Sequence, residues 1–141
     1  MTAMAHGRDS VERALRVFVA DRGGWTELTS GRRPAVRLSA PDLQRAQRAR
    51  AGVRSDDVAV ILDLTVSIST DFRSARAHFA GEANSVRYAG SIDGLAGLVS
   101  DIFVADVADG VTLIPAAPGL DVRGWAEDVV ARLSRRLPVA A

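Results

Sequence analysis

The side chains able to act on a ligand are few and widely spaced. The two histidines are His6, in the polar start MTAMAHGRDS, and His78, beside the apolar stripe Phe72, Ala75 and Phe79 of an expected helix. Neither has a second histidine at metal-ligand spacing, and the acids form no D-x-D or H-x-x-E set, so no metal site is expected. The absence of cysteine excludes disulfides, thiolate ligands and a cysteine nucleophile. Asp63 interrupts an otherwise apolar strand. It is a pocket carboxylate with a raised pKa, or it faces a polar layer or pairs with a nearby arginine, and these last two are the simpler expectation. Gly90-Ser91 opens a helix directly after a strand, where free N–H groups suit an anion; plain capping by Ser91 is the competing reading, and Ser69-Thr70 poses the same choice. No catalytic residue is named. Gly90 and Ser91 are the candidate binding residues.

All 18 basic residues are arginine, and the net charge is only +1. Their distribution is uneven: residues 1–54 hold eleven arginines against five acids. Arg32, Arg33 and Arg37, then Arg45, Arg48, Arg50 and Arg54, form a basic run. A nucleic-acid reader would interleave aromatic side chains with such a run, and none lies between Arg32 and Arg54. A solvated face is expected instead, and nucleic acid is not an expected partner. Trp25 and Trp125 read as core or interface anchors. No apolar run reaches the ~20 residues that span a bilayer, and the N-terminus shows no secretory pattern. A cytoplasmic protein is the expectation.

These residues are positioned by elements legible from their periodicity. Val11, Leu15, Phe18 and Val19 form an apolar stripe that predicts a helix over Ser10–Ala20, stopped by Gly23-Gly24. Trp25–Leu38 reads as a loop with one short strand near Val36 and Leu38. Pro41 suits the first turn of a helix that ends at Gly52. Asp57–Ser69 alternates strictly: Val58, Val60, Leu62, Leu64, Val66 and Ile68 share one side, while the other is apolar early and polar late, at Asp63, Thr65 and Ser67. That is a strand with one side on helices and one turning polar along its length. A helix capped by Thr70-Asp71, a short strand at Val86–Ala89, a helix through Leu95–Phe103, a strand at Gly110–Ile114 and a last helix over Val122–Leu137 follow. Strands alternating with such helices predict parallel βα units. The chain divides into residues 1–39, an N-terminal helix with an irregular arginine-rich segment, and residues 40–141, the βα units.

Two stretches are similar to luciferase-like monooxygenases. Residues 46–80, AQRARAGVRSDDVAVILDLTVSISTDFRSARAHFA, resemble that family's late-barrel segment, in which an A-x-x-A-G-R-D-P-D-D-like turn, a long strand and a T-D/E-x-x-A-R helix follow one another. Gly52, Asp56, Asp57, Thr70, Asp71, Ala75 and Arg76 occupy the matching places. Residues 88–136 resemble the family's ending, a G-[ST]-P-E helix, a D-G-[FV]-x-L-x-P strand and a closing helix. Asp109, Gly110, Val111, Leu113, Pro115, Leu120, Trp125, Val129, Val130, Leu133 and Arg136 match, while Ile92 and Asp93 stand where the family has proline and glutamate. The matching residues serve packing and turns rather than chemistry.

The resemblance implies an α/β fold, a partial TIM-barrel-like array of parallel βα units with three to four strands. It implies a flavin- or deazaflavin-dependent oxidoreductase or monooxygenase, with FMN or deazaflavin as cofactor; a flavin phosphate is one anion that the helix start at Gly90 and Ser91 would suit. Such barrels run to about 250 residues. This chain of 141 lacks their early strands and their glycine-rich phosphate segment; Gly23-Gly24-Trp25-Thr26 echoes the latter only superficially. The expectation is therefore a truncated member that acts, if at all, in an assembly: a homodimer, or a complex with a chain supplying the missing strands. A non-catalytic interaction or scaffold subunit of the same descent is the alternative, and arginine-mediated nucleic-acid binding a weaker one.

Overall fold

The computed structural model describes residues 13–53, 57–79 and 84–141. In chain order the elements are β1 (Arg16–Asp21), β2 (Gly24–Glu27), β3 (Ala35–Leu38), α1 (Leu43–Ala51), β4 (Ala59–Ile68), α2 (Phe72–Arg76), β5 (Val86–Gly90), α3 (Ile92–Val104), β6 (Gly110–Pro115) and α4 (Val122–Leu133). Each helix starts on a polar cap whose side chain accepts a first-turn N–H: Asp42, Asp71, Ser91 and Asp121 respectively. The helix ending at Gly52 thus starts two residues later than Pro41 suggests.

The helix expected over Ser10–Ala20 is corrected. Residues 10–12 lie outside the described residues, and Arg16–Asp21 is a strand. Leu15, Val17 and Val19 alternate onto the helix-covered core while Phe18 faces the other side. This short run satisfies both periodicities, and sheet pairing decides between them. Asp21 pairs with Gly24 across a two-residue turn, so Gly23-Gly24 closes a β-hairpin and does not stop a helix. Trp25 accordingly belongs to a strand, β2, and not to a loop. The short strand expected near Val36 and Leu38 is present as β3.

The six strands form one curled, mostly parallel sheet in the order β2-β1-β6-β4-β3. Only the β1–β2 pair is antiparallel. β4 is its spine. One edge of β4 carries β6; the other carries β3 along its first half and β5 along its second. The parallel strand–helix alternation expected over residues 57–137 is therefore found, with β6 returning to the far side of β4 from β5.

The two faces of β4 differ as its alternation predicts. Leu62, Leu64 and Val66 join Val17, Val19, Val111 and Leu113 in a core closed by Ala46 of α1, Leu95 and Val99 of α3, and Val129 and Leu133 of α4. Burying one such aliphatic side chain contributes about 1.5–3 kcal/mol. Asp93 and Arg132 form an ion pair that ties α3 to α4. The opposite, concave face holds a smaller cluster of Phe18, Ala59 and Ile61. Although no long helix covers this face, Phe18 is only 5% exposed and Ile61 fully buried. Trp25 stacks on Phe18 and closes the curl from within. Among the described residues the exposed large apolar side chains are Trp25, Val36, Val53 and Val104. None of the helices there is long and apolar enough to cross a membrane.

Candidate functional site

The concave face carries the polar side chains that register brings together. Phe18 pairs with Thr112 and Thr112 with Asp63, so these three form one row across β1, β6 and β4. Trp25 of β2 stacks on the Phe18 ring at 4.4 Å between centroids. Its indole N–H donates to Thr112 Oγ1 at 2.9 Å, and the Arg37 guanidinium lies 5.6 Å from its ring centre. Asp63 is buried. It accepts two hydrogen bonds from Arg37, each 3.1 Å, and one from Ser39 Oγ at 2.7 Å. The expected pairing of Asp63 with an arginine is thus present, and its partner comes from the arginine-rich segment.

A second bidentate pair sits one row toward the amino ends of the strands. Arg16 donates to Glu27 from Nε at 2.9 Å and from Nη2 at 2.8 Å. Glu27 also accepts from Thr29 Oγ1 at 2.5 Å and from the Gly31 N–H at 3.0 Å. Burial pushes the Glu27 carboxyl up, but the hydrogen bonds from Arg16, Thr29 and Gly31, with the Arg16 charge, outweigh it and hold it below its ordinary value. A third pair closes the amino end. Asp109 accepts from both Arg50 terminal nitrogens and from the Val60 N–H at 2.9 Å. Arg50 also reaches Asp106, which Arg13 bonds in turn. Sequence reasoning missed the second and third pairs. The available signal was Arg16 inside the apolar alternation Leu15–Val19, the mark of a polar layer like that at Asp63.

The carboxyl ends of the strands form the other rim. The Ala116 N–H donates to the Val66 carbonyl on the β6 side, and the Ser69 N–H to the Gly90 carbonyl on the β5 side. Beyond these bonds the chain leaving β4 and the chain leaving β6 part company. Phe79, just past α2, lies under the Arg87 guanidinium, on the side that Arg87 shares with Thr65 by register. α4 packs on the opposite face. In open α/β sheets the crevice at such a divergence, outside the carboxyl ends, is where ligands bind. Thr65 and Ser85 share a 2.5 Å hydrogen bond there. Ser67, on the same face of β4 as Thr65, is 2% exposed.

Gly90 and Ser91 border this rim. Ser91 Oγ accepts the Gly94 N–H at 3.1 Å, so it caps α3. The Tyr88 hydroxyl donates to the Ser91 carbonyl at 2.9 Å and lies against Gly90 and Gly94. At Ser69-Thr70, Ser69 Oγ accepts the Asp71 N–H. His6 and Arg54 lie outside the described residues, and His78 is exposed. No group of three or more potential metal ligands occurs among the described residues. Of the basic run, Arg37 and Arg50 face carboxylates of the protein's own strands and strand ends. Trp125 packs against the main core, as its place on the last helix predicts.

No protein-family model matches the chain, and no curated protein matches it.

Proposed function

We propose that this chain is a luciferase-like oxidoreductase unit that binds flavin or deazaflavin at the carboxyl rim of its sheet and works in an assembly. The observation that carries the reading is the polarity gradient along β4 on the concave face. It passes from Ala59 and Ile61 through Asp63 to Thr65 and Ser67, toward the crevice where the β4 and β6 connections diverge. In βα folds this rim takes the cofactor. The Ser67 hydroxyl stands toward that rim, a fit for a polar ring edge. The phosphate end is assigned to Gly90 and Ser91 at the start of α3, where Ser91 Oγ accepts the Gly94 N–H and the N–H groups of Ile92 and Asp93 have no intrahelical acceptor; Asp93 in that turn is offset by Arg132. Bound there, the cofactor would supply the redox chemistry, and the chain's own residues would bind and orient it. A TIM-barrel-like cylinder built by successive βα steps sets each strand beside its predecessor. Here β6 lies beside β4, so the reading includes a homodimer or a partner chain that completes the site.

Titration of the purified chain with FMN and with a deazaflavin tests this. A shifted, saturable flavin absorbance that Ser67→Val weakens is expected. An unaltered flavin spectrum at millimolar concentration would overturn the reading. The second reading is a non-catalytic interaction subunit, favoured by the half-buried carboxylate Glu27 and the buried carboxylates Asp63 and Asp109, each bound by an arginine. A stable, colourless oligomer indifferent to flavin supports that one.

A further inference from the structure

The concave face is closed at one level and open at the next. The row Phe18, Thr112 and Asp63 is buried. One step further toward the carboxyl ends on the same face, Trp25 pairs with Ala20, Ile114 with Thr65, and Thr65 with Arg87. Ala20, Ile114, Thr65 and Arg87 are half-buried, and Trp25 is 37% exposed. These side chains line a shallow bowl whose floor is the buried row. The curl brings the two sheet edges toward each other across it, so that the Arg37 guanidinium of β3 lies 5.6 Å from the ring centre of Trp25 on β2. The exposed indole is held in place. Phe18 stacks on the ring with the two planes 13° apart, Thr112 accepts the indole N–H, and the neighbouring Arg37 is itself fixed by Asp63. On the β4–β5 side, Thr65 and Ser85 share their hydroxyl hydrogen bond.

We infer that this bowl binds a small, uncharged aromatic molecule, its ring against Trp25 and a hydroxyl or carbonyl substituent at Thr65 and Ser85. Indole rings and guanidinium planes both pair with aromatic rings. Asp63 offsets the Arg37 charge, so the Trp25–Arg37 wall favours a ring face over an anion. Ala20 and Ile114 give the ring an apolar bed. A wall already held in place lowers the ordering cost of binding. Bound at the cofactor rim, such a molecule would be the substrate of the flavin chemistry. That role rests on the flavin reading; the binding itself does not.

The test uses the full chain, isotope-labelled for NMR and free of flavin, with phenol and its saturated counterpart cyclohexanol as probes. The two indole N–H groups are those of Trp25 and Trp125, and Trp25→Phe assigns their resonances. Phenol should shift the Trp25 resonance saturably and leave that of Trp125, packed against the main core, in place. Cyclohexanol offers similar bulk and the same hydroxyl without a π face, and should bind about tenfold more weakly in the same titration. Thr65→Val keeps the shape of the side chain and should weaken phenol binding about fivefold. An unmoved Trp25 resonance, equal affinities for the two probes, or undiminished phenol binding by Thr65→Val would each overturn the assignment. With no flavin present, a failed FMN titration leaves these results unaffected.

Discussion

Glu27→Ala is the most informative single perturbation of the fold. It removes the acceptor of four hydrogen bonds, two from Arg16 and one each from Thr29 and Gly31. Arg16, whose side chain is 8% exposed, keeps only the Arg33 carbonyl. Stripping one partner from a buried pair costs about 3–5 kcal/mol. With a urea slope of about 2 kcal/mol/M, the unfolding midpoint should fall by about 1.5–2.5 M. The double variant Arg16→Met/Glu27→Met removes both charges from the same space and should be less destabilised than Glu27→Ala alone. Urea unfolding followed by far-ultraviolet circular dichroism measures all three proteins. pH adds an independent sign. The folded carboxyl titrates below its ordinary value of 4.5. The stability it contributes is therefore present above that value and is lost as pH falls through the lower folded one. The gap between wild type and Glu27→Gln should hold at neutral pH and narrow below about pH 4. A double variant worse than Glu27→Ala, or a gap that persists in acid, would refute the argument that the charge pair holds this corner together.

Four further outcomes follow from particular contacts. Gly110→Ala places a Cβ 2.1 Å from the Arg16 carbonyl oxygen, so it should separate β1 from β6 and lower stability by about 2 kcal/mol or more in thermal unfolding. Leu113→Ala, in the fully buried face of β6, should cost about 2–5 kcal/mol. Trp25→Phe keeps an aromatic ring on Phe18 and loses the bond to Thr112, a loss of about 1 kcal/mol in urea unfolding; Trp25→Ala loses the stack as well and should cost clearly more. Asp109→Ala leaves the Val60 N–H without its acceptor and Arg50 with only the exposed Asp106, and should cost about 3 kcal/mol by the same assay.

Much of this architecture was legible in residue order. The twelve-residue alternation from Val58 to Ser69 specified both the strand and its two faces, because side chains on a strand point alternately to opposite sides. Asp71 and Ser91 marked helix starts by the capping chemistry of their short polar side chains. Asp63 announced a polar layer by breaking an apolar series. Three things required the tertiary structure. Arg16–Asp21 fits either a helical or an extended periodicity, and only pairing with β6 and with β2 makes it a strand. The partners of the buried acids are remote in sequence: Asp63 meets Arg37, and Asp109 meets Arg50, because β3 and α1 are set against the start of β4. Strand order was the third. Local pattern dictates that β4, β5 and β6 each form, yet β6 takes its place beside β4 and β1 through long-range pairing that no short window of residues encodes.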